Sequence, residues 1–489
     1  MVAMKPIQEW IGEPGVVISW HPSRASLAKV REAPVSDVPT SYQQEQHLLA
    51  YRKHVAEGTD MARLIIPGWD VPGQCDVRAM THVINAYLRR HDTFHSWFEF
   101  AGSVDDDPAA GQIIRHTVTN PRDIKFVATE HGEMTAAQWR EHVMSTPDPW
   151  QWDCFHFGVI QRADHFTIYL SVDHVHTDAM FIGLAFVEIH MMYDALVRGE
   201  APLQLPEAGS YADYCIAQRA YTAGLTTESD EVRGWIDFLE LNGGTLPGFS
   251  LPLGDPSQPH SGDVITMQLL DESQTDKFEA ACTAAGARFS GGVFACGALA
   301  HAALTGQDTY SVITPTTTRR TQADFMTTGW FTGLVPIAVP VDFSSFADTA
   351  LAAQASFDGG MDLAQVPFER VLELAADEGV DGVRAPDPGV PMLSFIDVGM
   401  LLPGVIEHFQ SLGGRIYSDP RSAYQVGMWV NRAEKETTVT VAFPNNSIAR
   451  ESVLRYVEAM REVYLRVIDG QVPVESFGAA ETDLDLKTA

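Results

Sequence analysis

The chain is poor in basic residues. Its 489 residues include 33 lysines and arginines against 64 aspartates and glutamates, which gives a formal net charge of −31. So acidic a chain repels phosphate backbones and anionic bilayer surfaces, and this argues against nucleic acid as a partner. A polyanionic substrate such as a coenzyme thioester would need a local basic pocket within this negative field.

Cysteines are also few, and no two of them have the short spacing typical of a zinc or redox motif. The five cysteines are Cys75, Cys154, Cys215, Cys282 and Cys296. An odd number without paired spacing argues against a disulfide framework and against a cysteine-based zinc site, and it indicates a reducing compartment.

Long apolar runs are missing as well. The first six residues contain no apolar core like that of a secretory signal. No stretch approaches the roughly 20 apolar residues that cross a bilayer. The two most apolar segments, 180–197 and 291–305, are interrupted by His190 and His301. We therefore expect a cytoplasmic protein, with the inner face of the plasma membrane as the alternative location.

The length and the order of elements predict two domains. A chain of 489 residues is long for one core. Each half mixes strands and helices without strict βαβ alternation, so we expect α/β (α+β) sandwiches and not a doubly wound sheet. The predicted division is an N-terminal subdomain at 1–205, a Gly- and Pro-rich crossover at 206–262, a C-terminal subdomain at 263–470 and a loose tail at 471–489.

The most informative stretch lies between a predicted strand and a predicted helix. Residues 166–172 alternate and are rich in β-branched and aromatic side chains, which predicts a strand, and 180–197 is apolar enough for a buried helix. Between them, His174 and Asp178 form a His-x-x-x-Asp motif. Reactive side chains are often displayed at such a junction, because the scaffold is rigid and the tip stays accessible.

This spacing alone is weak evidence. About one match is expected by chance in a chain with this many histidines and aspartates. A second match, His190 and Asp194, lies inside the apolar helix, where we interpret it as a polar pair on one helix face. The wider sequence must decide whether the first match is functional.

The wider sequence resembles a known superfamily. Asp173-His-Val-His-Thr-Asp-Ala179 resembles the His-His-x-x-x-Asp-Gly signature shared by chloramphenicol acetyltransferases, carnitine acyltransferases and condensation domains of non-ribosomal peptide synthetases. Further landmarks follow in the family's order: Ser41-Tyr-Gln-Gln-Glu45, Arg90-His-Asp-Thr-Phe94, Tyr211-Ala-Asp-Tyr214, Thr328-Gly-Trp-Phe-Thr-Gly-Leu-Val-Pro336 and Val366-Pro-Phe-Glu369. The segments at 8–22 and 313–315 look most like the mycobacterial polyketide-associated (Pap) acyltransferases, in the branch that acylates trehalose.

Three positions depart from the family pattern. Asp173 replaces the first histidine, Ala179 replaces the glycine, and Gly333 replaces an asparagine of the Gly-x-Phe-x-Asn segment. Asp173 is tolerated in the trehalose-acylating branch. Ala179 would be strained if its backbone needed a positive φ. These departures do not change the reaction class that the resemblance implies. They do mean that details of the donor site in other family members cannot be assigned directly to this chain.

The resemblance implies both a fold and a reaction. It implies two chloramphenicol acetyltransferase-like α/β sandwich subdomains with the active site in a channel at their interface. The donor would be acyl-CoA, used as a substrate, or an acyl chain on a carrier or polyketide synthase. The acceptor would be trehalose or an acyl-trehalose, in cell-envelope glycolipid synthesis. The resemblance implies no cofactor and no metal, and a monomer is the default.

The chemistry needs a base, because an alcohol is a poor nucleophile at neutral pH. A histidine with an ordinary pKa of about 6.5 offers a neutral nitrogen near pH 7. We expect His174 to deprotonate the acceptor hydroxyl, which attacks the thioester directly. The sequence has no Gly-x-Ser-x-Gly nucleophile elbow that would indicate a covalent intermediate.

From its residues, Asp178 could complete a relay or act as a structural carboxylate. The resemblance implies the structural role, through an ion pair with an arginine from the other half. The turn that matches the family's arginine segment is Thr316-Thr-Thr-Arg-Arg320. In it, Arg320 is the preferred partner of Asp178 and Arg319 is the alternative. The other supporting residues are Asp173, Gly329 and Trp330.

Two alternative functions place the chain in other classes of protein. His174, His176 and Asp178 also resemble the start of the zinc motif of metallo-β-lactamase-like hydrolases, although Ala179 stands where that motif has a histidine. His176 is otherwise expected to serve local packing. The second alternative is a non-catalytic, condensation-like scaffold for a polyketide synthase.

Overall fold

The computed structural model describes residues 4–102, 111–201, 203–258, 260–397, 404–419, 425–433 and 436–471. Apart from Gln471, the predicted tail at 471–489 lies outside these described residues. The chain before the predicted crossover at 206–262 is called the first half, and the chain after it is called the second half.

Fifteen strands occur in the described part of the chain. They are β1 (Met4–Pro6), β2 (Gly15–Pro22), β3 (Leu64–Pro72), β4 (Ser96–Ala101), β5 (Gln112–Thr117), β6 (Phe126–Met134), β7 (Phe155–Gln161), β8 (His165–Asp173), β9 (Gly262–Asp271), β10 (Thr309–Thr317), β11 (Thr332–Pro340), β12 (Pro391–Asp397), β13 (Arg415–Ser418), β14 (Val426–Ala433) and β15 (Glu436–Pro444).

The helices alternate irregularly with these strands, as the sequence predicts. They are α1 (Arg24–Arg31), α2 (Tyr42–Ala56), α3 (Val77–Arg90), α4 (Ala136–Met144), α5 (Met180–Ala185), α6 (Met192–Val197), α7 (Tyr211–Ala223), α8 (Asp230–Leu241), α9 (Glu272–Ala284), α10 (Phe289–Thr305), α11 (Gln322–Phe325), α12 (Phe346–Gly360), α13 (Phe368–Glu378), α14 (Val405–Ser411) and α15 (Ser447–Ile468). A π-helical segment, Phe186–Met191, joins α5 to α6.

Each half contains one large sheet. The first has the strand order β1-β13-β3-β8-β7-β2-β6, and the second has the order β11-β10-β12-β14-β15-β9. In the first sheet all neighbours are antiparallel except β1 and β13, whereas β12 in the second sheet is parallel to both neighbours. Strands β4 and β5 form a separate two-stranded antiparallel sheet.

Helix boundaries follow local sequence signals. The Ser41 hydroxyl accepts from the Gln44 backbone N–H, and the Gln44 side chain in turn accepts from the Ser41 N–H, which completes a capping box at the start of α2. Asp271 and Gln274 repeat this arrangement at the start of α9. Helix α10 is buried on nearly every side against the second sheet, which explains why its sequence is apolar all round.

The segment 180–197 is the one described helical stretch that is long and apolar enough to cross a membrane, with a mean hydropathy of 1.6. Its side chains pack into the core of the first half, where Phe181, Phe186 and Ile189 are buried. The carboxylate of the buried Glu188 accepts a hydrogen bond from Arg90 Nε at 3.1 Å, and its other oxygen lies 3.0 Å from His91 Nε2. These contacts identify the segment as a core helix of this fold.

One strand crosses between the halves. Strand β13 belongs to the second half in sequence, yet it lies in the first sheet between β1 and β3. The predicted division at 1–205 and 263–470 remains a prediction, and it did not anticipate this exchange. The halves are therefore joined by main-chain hydrogen bonds as well as by the crossover.

Candidate active site

His174 lies directly after a buried strand, as predicted. Strand β8 ends at Asp173, a single 3₁₀ turn covers His174–His176, and α5 begins at Met180. The Asp173 carboxylate caps the turn by accepting from the Val175 N–H at 3.0 Å, and the His174 N–H donates to the Arg63 carbonyl at 2.8 Å. The turn thus fixes the backbone from which the imidazole projects.

The imidazole of His174 lies where the two halves meet. Its ring centroid is 4.0 Å from that of Trp330, in the second half, and 6.3 Å from that of His47, on α2. The side chain is partly exposed, and within the described residues neither ring nitrogen has a hydrogen-bond partner. Because Nδ1 is buried, Nε2 is the nitrogen that remains for a substrate.

The surroundings keep this imidazole neutral. Burial, and then the nearby His47, lower the pKa of His174 to about 4. At neutral pH the ring is therefore in the form that can accept a proton.

Asp173 is a fully buried anion with two cationic or polar partners. His47 Nε2 lies 2.7 Å from Asp173 Oδ1, and an Arg63 guanidinium nitrogen lies 2.7 Å from Oδ2. Burial opposes ionisation, but these partners outweigh it and lower the pKa of Asp173 to about 2. Through His47, Asp173 connects α2 to the turn that carries His174. Through Arg63, it connects the residue before β3 to the same turn.

Asp178 pairs with Arg319, which corrects the preference for Arg320. Arg319 binds both carboxylate oxygens of Asp178, at 2.5 and 3.2 Å. After β10 ends, the Thr318 N–H donates to the Phe331 carbonyl. The next residue, Arg319, is buried, whereas Arg320 is exposed. The Arg320 backbone N–H donates to Asp324.

The contacts of Asp178 favour the structural role over a relay. Besides Arg319, its carboxylate accepts from the backbone N–H groups of Met180 and Phe331, each at 3.0 Å. The same Arg319 donates to the Thr327 carbonyl and lies over the ring of Phe331 at 4.3 Å. This ion pair therefore holds the segment that presents Trp330 to His174.

Several predicted landmarks meet around Tyr211. Its hydroxyl lies 3.0 Å from Ser41 Oγ, and its N–H donates to Asp92 at 2.8 Å. A Cβ added at Gly329 would lie 2.3 Å from the Tyr211 ring, so glycine allows this close packing. The landmarks are far apart in sequence, and their meeting point adjoins the segment of Trp330.

The structure also accounts for two departures from the family pattern. Ala179 has φ −59° and ψ −29°, an ordinary helical conformation, so the missing glycine causes no strain. A Cβ at Gly333 would lie 2.0 Å from the Ala364 carbonyl oxygen, so an asparagine does not fit there without a backbone shift.

Two of the three residues of the metal alternative, Asp178 and His176, already have other partners. Arg319 already places a positive charge on Asp178. His176 Nδ1 lies 3.0 Å from Thr93 Oγ1, and its ring packs against Phe94 and Phe155. These contacts argue against a hydrolytic metal centre and agree with a packing role for His176.

The second His-x-x-x-Asp match is not the polar pair that the spacing suggests. His190 is buried and its ring stacks on that of Phe186 at 4.9 Å, whereas Asp194 pairs with Arg198 at 2.9 Å. The two side chains point in different directions, one into the core and one toward solvent.

Sequence reasoning missed His47 and Arg63. One signal was available: a buried carboxylate at position 173 requires cationic or hydrogen-bonding partners. Spacing could not name them, because they come from segments more than a hundred residues earlier in the chain.

The predicted channel remains a prediction. A cavity of about 300 Å³ lies between Thr245, in the predicted crossover, and His301 and Tyr456, in the second half, and it includes none of the residues around His174.

The condensation-domain family model matches residues 69–382. The chain is 53% identical over 474 residues to trehalose-2-sulfate acyltransferase PapA2 of Mycobacterium bovis (strain BCG / Pasteur 1173P2), covering 97% of this chain and 99% of that protein. It is 50% identical over 470 residues to 2'-acyl-2-O-sulfo-trehalose (hydroxy)phthioceranyltransferase PapA1 of Mycobacterium tuberculosis (strain CDC 1551 / Oshkosh), covering 96% and 89% of the two chains.

Solved structures agree with these relatives. A PapA2 acyl transferase matches with a TM-score of 0.91 and 53% identity, covering 96% of this chain and all of that one. The first condensation domain of the calcium-dependent antibiotic synthetase matches with a TM-score of 0.62 and 16% identity, covering 87% and 96%, and this likeness concerns the fold alone.

The relatives and their structures confirm the predicted fold of two chloramphenicol acetyltransferase-like α/β subdomains. They do not favour a non-catalytic scaffold, because the matching proteins are named as acyltransferases. The chain therefore belongs to the condensation-domain family and is an acyltransferase of the polyketide-associated (Pap) branch.

Proposed function

We propose that this acyltransferase moves a long-chain acyl group from a thioester to a hydroxyl of trehalose or an acylated trehalose. The names of PapA2 and PapA1, which refer to 2-sulfated trehalose and its acylated form, support a trehalose derivative as acceptor. The donor is acyl-CoA or an acyl chain on a carrier or synthase. It enters as a substrate, and no further cofactor takes part.

One observation carries the proposed mechanism: His174 presents a neutral, unpartnered imidazole between the two halves. Its Nε2 takes the proton of the acceptor hydroxyl while the oxygen attacks the thioester carbonyl. The tetrahedral intermediate then expels the thiolate as the C–S bond breaks. The imidazolium returns the proton to the thiolate, so the histidine ends neutral and no acyl-enzyme forms.

A cytoplasmic location belongs to the same proposal. All five cysteines are free thiols, and four of them are buried. Free thiols of this kind are typical of proteins in a reducing compartment.

The decisive experiment is an acyl-transfer assay with the purified chain. Palmitoyl-CoA is incubated with trehalose, trehalose-2-sulfate and glucose, and the products are identified by mass spectrometry. We expect a mono-acylated trehalose species, with release of one free thiol per ester. Glucose is the control for nonspecific acylation. Thiol release without a sugar ester, or equal acylation of glucose, would contradict the proposed acceptor.

The low pKa of His174 predicts the pH dependence of the reaction. A base works when neutral, so a pKa lowered to about 4 keeps it active below the usual histidine range. We expect kcat/KM to stay level from neutral pH down to about 5 and to fall at lower pH. Circular dichroism at each pH separates this from unfolding. An acid limb with a midpoint near 6.5 in the folded enzyme would refute the shift.

A further inference from the structure

Four histidines of the first half lie side by side, and the proposed reaction uses none of them. His21 lies at the end of β2, His131 on β6, His142 on α4 and His156 at the start of β7. The ring centroids form a closed circuit, with successive separations of 5.8, 4.5, 4.8 and 5.0 Å. No sequence motif predicts this cluster, because it joins four separate elements.

Two imidazole nitrogens of the cluster converge on one point. The Nε2 atoms of His21 and His131 each lie 2.6 Å from Ser19 Oγ. A hydroxyl has a single hydrogen to donate, so one of the two bonds requires the histidine to be the donor. The two ring nitrogens therefore lie close to each other, and a bound cation would replace their hydrogen bonds to Ser19.

A β-bulge places His131 in the cluster. Strand β2 pairs Val17 with Gly132 and Ile18 with Glu130, so His131 is the extra residue on β6. Gly132 adopts φ +80°, a conformation that favours glycine. Bulges often re-aim a side chain near a functional site. Here the bulged residue is exposed, which leaves its ring free to adjust.

The other two histidines contribute unpartnered nitrogens. His142 Nε2 and His156 Nε2 are both buried and have no hydrogen-bond partner among the described residues. An unsatisfied buried polar atom is costly and calls for an explanation such as an ion or water. A neutral imidazole has a lone pair on one of its ring nitrogens, and this is the atom that a metal ion binds.

We propose that His21, His131 and His142 bind a divalent transition-metal ion of the zinc class. Their ligand atoms lie within 4.8 Å of one another. A tetrahedral zinc with Zn–N bonds of about 2.0–2.1 Å needs nitrogens roughly 3.4 Å apart, so the ring nitrogens must approach one another by up to about 1.4 Å. Rotation of exposed His131 supplies part of that movement, and water takes the fourth position.

The bound ion would fasten helix α4 to the sheet. His142 lies on α4, whereas His21 and His131 lie on neighbouring strands at the β6 edge of the first sheet. Imidazole nitrogens suit zinc, copper and nickel, whereas magnesium prefers oxygen ligands. The proposed site should therefore discriminate strongly between zinc and magnesium.

The test is calorimetric titration of the full chain, without affinity-tag histidines, with zinc chloride or magnesium chloride. We expect one zinc per chain with a Kd at or below about 10 µM, and no magnesium binding. His131→Gln and His142→Gln should each weaken zinc binding by roughly 100-fold or more, since even loss of an outer partner costs 10- to 100-fold. The exposed His82, on α3, gives the matched control His82→Gln, which should bind zinc like the wild type.

A second readout is thermal stability. Zinc at about 100 times its Kd should raise the Tm of the wild type by roughly 3 °C and leave that of His131→Gln unchanged. Because residue 131 is exposed, this variant should fold normally without metal. Equal zinc binding by wild type and His131→Gln, or no saturable zinc binding by the wild type, would overturn the proposed site.

Discussion

Replacement of His174 by alanine is expected to lower kcat by roughly 100- to 10,000-fold, the usual contribution of a general base. The KM values should change little, because the imidazole is proposed to act on the reacting proton and not to anchor either substrate. Thermal stability should also be nearly unchanged, since the ring is partly exposed and neither nitrogen is hydrogen-bonded within the described residues. Steady-state kinetics and a melting curve on the same preparation measure both effects.

A matched control is the other His-x-x-x-Asp match. His190 is also held at a pKa of about 4, chiefly by burial, but it lies in the core helix against Phe186. His190→Gln should therefore leave kcat of the folded enzyme within about twofold of wild type, whatever it does to stability. His174→Gln, which fills the site without a basic nitrogen, should be as inactive as His174→Ala. Turnover above a tenth of wild type in both His174 variants would exclude the general-base role.

Replacement of Arg319 by methionine is expected to destabilise the protein by about 3–5 kcal/mol, because it leaves the buried Asp178 carboxylate without its cation. It also removes the hydrogen bonds to the carbonyls of Asp324 and Thr327, so the segment that carries Trp330 loses its support. We expect a large drop in Tm and little activity. Differential scanning calorimetry and the acyl-transfer assay measure the two effects.

The neighbouring arginine supplies the control for that experiment. Arg320 is exposed, so Arg320→Met should change the free energy of unfolding by no more than about 0.5 kcal/mol. Asp178→Asn combined with Arg319→Met removes both charges, and this double variant should be more stable than Arg319→Met alone. If Arg320→Met were the more damaging substitution, the assignment of the ion pair to Arg319 would be wrong.

Local features of the site could be predicted from the sequence. The strand before His174, the tight turn and the following helix all depend on neighbouring residues, whose periodicity is visible in the chain. The N-cap at Ser41 and the amphipathic helix α3 depend on neighbouring residues in the same way. Ordered landmarks then identified the family, because several weak motifs in one order are more specific than one.

Contacts between residues that are distant in sequence could not be predicted in the same way. Arg319 and Arg320 have the same chemistry, and the residues next to them in sequence do not show which of the two is buried beside Asp178. The partners of Asp173 come from distant segments. The histidine cluster depends on a bulge in β6, whose register requires knowledge of the paired strand.

The exchange of strand β13 has a consequence for biosynthesis. Strands β1 and β3 both pair with β13, so part of the first sheet lacks its neighbour until residue 418 has left the ribosome. At about 5–20 residues per second, the interval between synthesis of β1 and of β13 is roughly 20–80 s. During that time an unpaired edge of β3 is open to other chains. Completion of the first sheet therefore waits for β13, and the edge of β3 is protected only after that strand has been synthesised and has paired with it.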